Sequence, residues 1–197
     1  MKLHDLTLSG NCYKVRLLAA LAGIELELVP VDFMGGAHKR APHTDLNPWG
    51  ELPVLEDGDV VLRDSQAILV YLGARYAGEQ WLPRDPLGLA TVMQWLSTAA
   101  NEIQHGPGAA RLVDKFGYVL DKADALRRAE RILGLLEQHL AHNDWLALQH
   151  PTIADCAVFP YVALSHEGGV SLADYPQVRA WIDRVKALPG FVGMPGV

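Results

Sequence analysis

The sequence predicts an α/β first part followed by an all-helical second part, and three observations carry that division. Residues 1–76 alternate strand-like and helix-like periodicity, and residues from 87 onward place apolar side chains at helical spacing almost throughout. Between them the segment AGEQWLPRDP, residues 77–86, gathers the glycine and prolines expected of a linker. The expected organisation is therefore a first domain over 1–76, a linker over 77–86 and a helical domain over 87–197.

Within the first part, Lys2–Leu8 reads as a short strand and Tyr13–Gly23 as a helix, with Val15, Leu18, Ala19 and Ala22 on one face and Gly23 closing it. Glu25–Val31 is a second strand, and a strand-helix-strand unit of this length implies a parallel pair. The polar stretch Met34–Asp45 carries no clear period. Asn47–Leu72 then joins a proline-marked turn, a tight hairpin and a capped helix. Pro53 fits the first position of a strand, where no ladder donor is needed. Asp57-Gly58 is a hairpin signal that pairs Val54–Glu56 with Val60–Leu62. Asp64-Ser65 caps a helix whose apolar face is Ile68, Leu69, Tyr71 and Leu72. An open strand edge beside a helix start offers N–H groups and a positive dipole end, so this run suggests a site for a peptide carrying a carboxylate.

In the second part, Leu87–Gln104 and Asp121–Ala141 read as long bundle helices. Gly106-Pro107-Gly108 should kink or break the first, because proline removes a helix donor and clashes with the preceding turn. Thr152-Ile-Ala-Asp155 resembles a capping box ahead of the buried helix Cys156–Leu164, which explains Asp155 by folding rather than catalysis. Tyr175–Leu188 is a last helix, stopped by Pro189-Gly190.

Composition narrows the function classes. The chain has 197 residues, half of them hydrophobic, and a formal net charge of −6 with its basic residues scattered, which argues against nucleic acid as a partner. No apolar run approaches the roughly twenty residues of a membrane span, and the first residues lack a signal-peptide core, so a cytoplasmic protein is expected. Cys12 and Cys156 form neither a CxxC pair nor a cluster, so no disulfide scaffold is expected. His139 and His142 lie three apart but lack a third ligand, so no metal site is expected.

SGNCYKVRLLAALAGI at 9–24, NPWGELPVL at 47–55, RDSQAILVYL at 63–72 and TIADCAVFPY at 152–161, in this order and spacing, make the chain resemble the cytosolic glutathione transferases over essentially its whole length. The Ser-containing first loop and the KVR element look most like bacterial, theta, zeta and nu representatives. The resemblance implies a thioredoxin-like first domain that binds glutathione as co-substrate and an all-α second domain that lines a pocket for a small electrophile. It also implies a homodimer and a detoxifying role.

By the same resemblance, Pro53 is a cis-proline and the Leu52 backbone pairs with the cysteinyl part of glutathione like an added strand. Ser65 would meet the γ-glutamyl carboxylate and Asp64 its amine, in addition to capping the helix. His38 and Lys39 would face the glycyl end, with Trp49 and His43 as alternatives. Only the thiolate of a thiol attacks, so a hydroxyl donor and a helix N-terminus can activate glutathione at neutral pH. Ser9 is the candidate donor and Asn11, at the position of a catalytic cysteine in beta-class relatives, its competitor; Cys12, one residue on, is read as a structural thiol, with a lowered pKa at the helix start as the alternative. His105 and Arg111 are candidates for the electrophile pocket. The alternatives are a glutathione-dependent disulfide reductase or peroxidase of the nu kind and a non-catalytic glutathione-binding protein.

Overall fold

Strand β1 (Lys2–Asp5) pairs parallel with β2 (Glu27–Pro30) and antiparallel with β3 (Val54–Asp57), which pairs antiparallel with β4 (Val60–Arg63). The sheet order in this computed structural model, which describes residues 1–197, is β2-β1-β3-β4. β1 is shorter than the sequence suggests, because the chain turns as soon as the Ser9 N–H reaches the Leu6 carbonyl at 2.8 Å. Helix α1 (Gly10–Leu21) accordingly starts three residues before Tyr13, with Ser9 as its cap, and Gly23 at φ 67° follows its end.

The polar stretch after β2 turns at 33–36, makes one turn of 3₁₀ helix at Ala37–Lys39 and then forms the short helix α2 (His43–Leu46). The Leu52–Pro53 peptide is cis, as is Ala41–Pro42. The hairpin forms one residue away from the expected register. Asp57 pairs with Val60, so Gly58 and Asp59 make the turn, and only Gly58, at φ 59°, needs the left-handed region. Asp57 is free to accept instead from the hydroxyls of Tyr71, at 2.7 Å, and Tyr76. Asp64 caps helix α3 (Ser65–Leu72) with Oδ1, which accepts from the N–H groups of Gln66 and Ala67 at 2.9 Å each. Asp64 does so at φ 71°, a conformation that costs a non-glycine residue energy and that clusters at functional sites.

Helix α4 (Pro86–Thr98) is capped by Asp85, with Pro86 in the first turn where its missing N–H is not needed. Wider helical turns over Ala99–Gly108 follow, broken at Gly106, where φ is −93° and ψ −105°. A Cβ on Gly106 would lie 3.0 Å from the Ala129 backbone nitrogen, so the glycine lets the bend pack against the next helix. The kink expected at Gly106-Pro107-Gly108 is thus present, and the chain resumes beyond it as α5 (Ala109–Phe116), an element without a sequence-based assignment of its own. Helices α6 (Lys122–Leu140), α7 (Ile153–Ala163) and α8 (Pro176–Lys186) complete the bundle.

Forty buried residues form one continuous hydrophobic cluster that includes Leu3, Leu17 and Leu55 from the first part and Leu133, Phe159 and Trp181 from the second. Burying each such side chain contributes roughly 1.5–3 kcal/mol, so the junction between the two parts is itself a core. Helix α1 is therefore covered on both sides, and its buried set runs through Cys12, Tyr13, Lys14, Val15, Leu17 and Leu18 rather than along a single stripe. No helix is long and apolar enough to cross a membrane.

Candidate active site

A cavity of about 490 Å³ opens where the N-terminal ends of α1 and α3 face the bend between α4 and α5. Eight of the candidate residues line it: Ser9, Asn11, His38, Lys39, Leu52, Asp64, Ser65 and Arg111. Pro53 is buried directly behind Leu52. His105 is not brought there. It is exposed on the outer side of its turn, with Nδ1 donating to the Asn101 carbonyl at 2.9 Å, and its neighbour Gln104 lines the cavity instead. The alternatives for the glycyl end lie elsewhere too: Trp49 is exposed with the Arg63 guanidinium 3.2 Å from its ring centroid, and His43 donates to the Glu51 carbonyl at 3.0 Å.

Ser9 Oγ accepts from the Cys12 N–H at 3.2 Å. A hydroxyl has two lone pairs and one proton, so capping uses an acceptor site and leaves the donor free for a group in the cavity. Leu52 makes no backbone hydrogen bond, because the β3 ladder begins only at Val54. Its N–H and C=O are open to an extended ligand. Ser65 is the first residue of α3, so its N–H has no partner within the helix. Asp64 gives Oδ1 to the cap and keeps Oδ2 unused.

His38 stacks on Phe33 with centroids 4.0 Å apart, and burial, followed by the nearby Lys39 charge, pushes its pKa below the ordinary histidine value. Lys39 donates to the Trp49 carbonyl at 3.1 Å. On the opposite wall Arg111 is buried, its Nε 2.5 Å from Glu167 Oε2, while Lys115 holds the other oxygen of the same carboxylate. Burial alone would raise the Glu167 pKa, and Lys115 and Arg111 together bring it below the ordinary value. Leu112, Phe116, Tyr118 and Tyr161 make this wall apolar and aromatic. Lys14, Lys39 and Arg111 face Glu51 and Asp64 around the cavity, so an acidic chain has a local cationic excess here.

Cys12 follows the structural one of its two readings. It is fully buried beneath the Ser9 loop, and burial pushes its thiol up to about 12 against the opposing Ser9 hydrogen bond, so the helix start does not make it reactive. Cys156, in α7, is equally buried and raised for the same reason. No group of three or more His, Cys, Asp or Glu side chains is arranged to hold a metal ion.

Two features of the site lay outside the sequence reading. Lys14 lines the cavity although it is 1% exposed, donating to Asn11 Oδ1 at 2.8 Å with its ammonium 5.3 Å from the Tyr161 ring centroid. The available signal was a lysine set between Tyr13 and Val15 on an otherwise apolar helix. Gly10 is the second feature, since a Cβ there would lie 2.6 Å from Tyr161 Cε1, so the ring of α7 presses onto the first residue of α1.

Comparison with known proteins agrees over the whole chain. Residues 1–74 match the family model "Glutathione S-transferase, N-terminal domain", and residues 79–184 match "Glutathione S-transferase, C-terminal domain". The chain is 34% identical to glutathione S-transferase 3 of Zea mays, covering 97% of this chain and 91% of that one. It is 35% identical to glutathione S-transferase D7 of Anopheles gambiae, covering 93% and 85%. Among solved structures, a glutathione S-transferase from Pseudomonas fluorescens Pf-5 superposes with a TM-score of 0.92 at 32% identity, covering 98% of both chains. One from Xanthobacter autotrophicus Py2 gives 0.89 at 33% identity, covering 99% and 97%. With a mixed four-stranded sheet in front, a helical bundle behind and a polar cavity at their junction, the chain belongs to the glutathione S-transferases, a family of transferase enzymes.

Proposed function

We propose that this protein binds glutathione in the cavity and activates its thiol for attack on a small electrophile. The observation that carries the reading is the unpaired Leu52 backbone lying across one cavity from the open start of α3. An extended tripeptide pairs with Leu52 at its centre, sets its γ-glutamyl carboxylate on the Ser65 N–H and hydroxyl, and brings its amine to Asp64 Oδ2. Its other end runs toward His38 and Lys39. Glutathione carries one net negative charge, which suits the cationic excess.

In this arrangement the sulfur meets the start of α1, where the dipole and the free Ser9 proton stabilise a thiolate. Serine is too weak a base to remove the proton, so Ser9 donates a hydrogen bond and water takes the proton away. The electrophile enters from the side of Leu112, Phe116, Tyr118 and Tyr161, whose apolar surfaces take the carbon skeleton while Arg111 stands behind them. Residues 1–76 are thus the glutathione domain, 77–86 the linker and 87–197 the electrophile wall. We assign the working form to a cytoplasmic homodimer, which light scattering at micromolar concentration tests directly.

Isothermal calorimetry with glutathione is the primary experiment: binding at or below millimolar concentration is expected, and its absence would sink the reading. Turnover on chlorodinitrobenzene, an organic hydroperoxide and a mixed disulfide then identifies the reaction, with the first expected to be fastest. The buried, unreactive Cys12 supports transfer over a protein-thiol reductase.

A further inference from the structure

We propose that Lys14 is a positioning residue for the thiol reaction: by holding the Asn11 carbonyl oxygen from below, it turns the Asn11 side-chain N–H groups into the cavity, as donors to the sulfur alongside Ser9. This rests on the reading that the cavity binds glutathione.

The orientation follows from donor chemistry. Lys14 Nζ donates to the Asn11 carbonyl oxygen at 2.8 Å, a bond that the ammonium makes with one of its three donors and the neutral amine still makes with one of two. That assignment leaves the NH₂ end of Asn11 facing away from Lys14, and Asn11, Ser9 and Lys14 all line the cavity. Without the lysine, the amide is free to turn its oxygen toward the sulfur, where it would repel a thiolate.

A fully buried lysine with one neutral hydrogen-bond partner is a poor stabilising device, because desolvation of the charge exceeds what one such bond returns. The groups facing it come from three other elements. The Tyr161 ring of α7 lies beneath the ammonium, the Asp64 carboxylate at the start of α3 acts on it from farther off, and Arg111 of α5 adds a second cation to the same cavity. Burial pulls the Lys14 pKa from 10.5 to about 7, with Asp64 alone opposing. Groups perturbed by burial inside a cleft concentrate at functional positions, and here the geometry of the Asn11 contact points the same way.

The test titrates the thiol of bound glutathione by its ultraviolet thiolate absorbance in wild type, Lys14→Met, Asn11→Ala and the double variant, alongside KM for glutathione. Lys14→Met is expected to raise the bound-thiol pKa by about one unit, a roughly tenfold loss of thiolate below that pKa, while KM changes less than about threefold. Asn11→Ala should give a similar rise, and the double variant no more than either alone. A Lys14→Met pKa equal to wild type, or a rise fully retained on top of Asn11→Ala, would overturn the proposal. Methionine of matching length removes a buried charge, so the fold is expected to hold. If it does not, Lys14→Leu is titrated in its place and read in the same way. A wild type that binds glutathione but shows no dependence on either residue refutes only the role of Lys14, whereas a wild type that binds no glutathione refutes the activity itself.

Discussion

Helices α1 and α7 pack against each other at the domain junction, and each begins with a hydroxyl cap, but the two caps differ in what they leave unused. At α7, Thr152 Oγ1 accepts from the Ala154 N–H, and Asp155 closes the box by accepting from the Thr152 N–H at 2.9 Å. The same carboxylate accepts from the Leu146 N–H at 3.2 Å and from Trp181 Nε1 at 3.0 Å, all inside the core. At α1, Ser9 Oγ takes a single bond and faces a cavity. The same capping chemistry thus yields a saturated structural node in one place and a donor with spare capacity in the other. Spare capacity beside empty space is the better guide to function than residue type.

The contrast breaks first at Asp155. Asp155→Ala strands four buried donors at once, the Thr152 hydroxyl included, and is expected to cost more than about 3 kcal/mol, lowering Tm by roughly 6 °C or more. A loss under about 1 kcal/mol in thermal or urea unfolding would show that the node is not structural. Ser9→Ala should do the reverse, with turnover falling about tenfold to a hundredfold while stability falls only about 1 kcal/mol. Unchanged turnover on several electrophiles removes Ser9 from the mechanism.

Lys14 sharpens the comparison through pH. Its pKa is lowered on folding from 10.5 to about 7, so between those values the unfolded chain holds a proton that the folded chain lacks. The proton count is higher in the unfolded state, and this group therefore makes stability rise with pH across that window, by up to about 1.4 kcal/mol per unit. The difference between wild type and Lys14→Met, followed by urea titration from neutral to alkaline pH, should carry that slope; a difference independent of pH refutes it. The smallest effect is expected at Cys12. With its thiol near 12, Cys12→Ala should keep turnover within about twofold of wild type, and a large loss would reinstate the thiol as a reactant.

The parts of this molecule legible in the sequence are those set by short-range chemistry. The caps at Asp64 and Thr152, the parallel β1–β2 pair and the order of elements in the Asn47–Leu72 run follow from turn residues and period. Local signals misled where a neighbour decides the outcome. The hairpin moved by one residue, leaving Asp57 to accept from Tyr71 and Tyr76, and the helix after Gly108 resumes because Gly106 packs on α6. His105 and Gln104 are adjacent, and only the turn geometry of the bent helix decides which of them reaches the cavity. Lys14 was invisible because helix periodicity assumes one buried face, whereas α1 is packed by α3 and by α7 together.

The press of Tyr161 on Gly10 bears on how such a protein can be re-engineered. Because the two domains touch through the first residue of α1, exchanging the helical half for that of a relative transplants a new neighbour directly against the reactive loop. A chimera that keeps Gly10 but brings a smaller side chain at 161 would open a void beside Ser9 and Asn11, and one that adds bulk at position 10 would drive the ring aside. The two halves are therefore inherited as a matched pair, and new electrophile preferences are more safely sought at the far rim, around Phe116 and Tyr118, than at the seam.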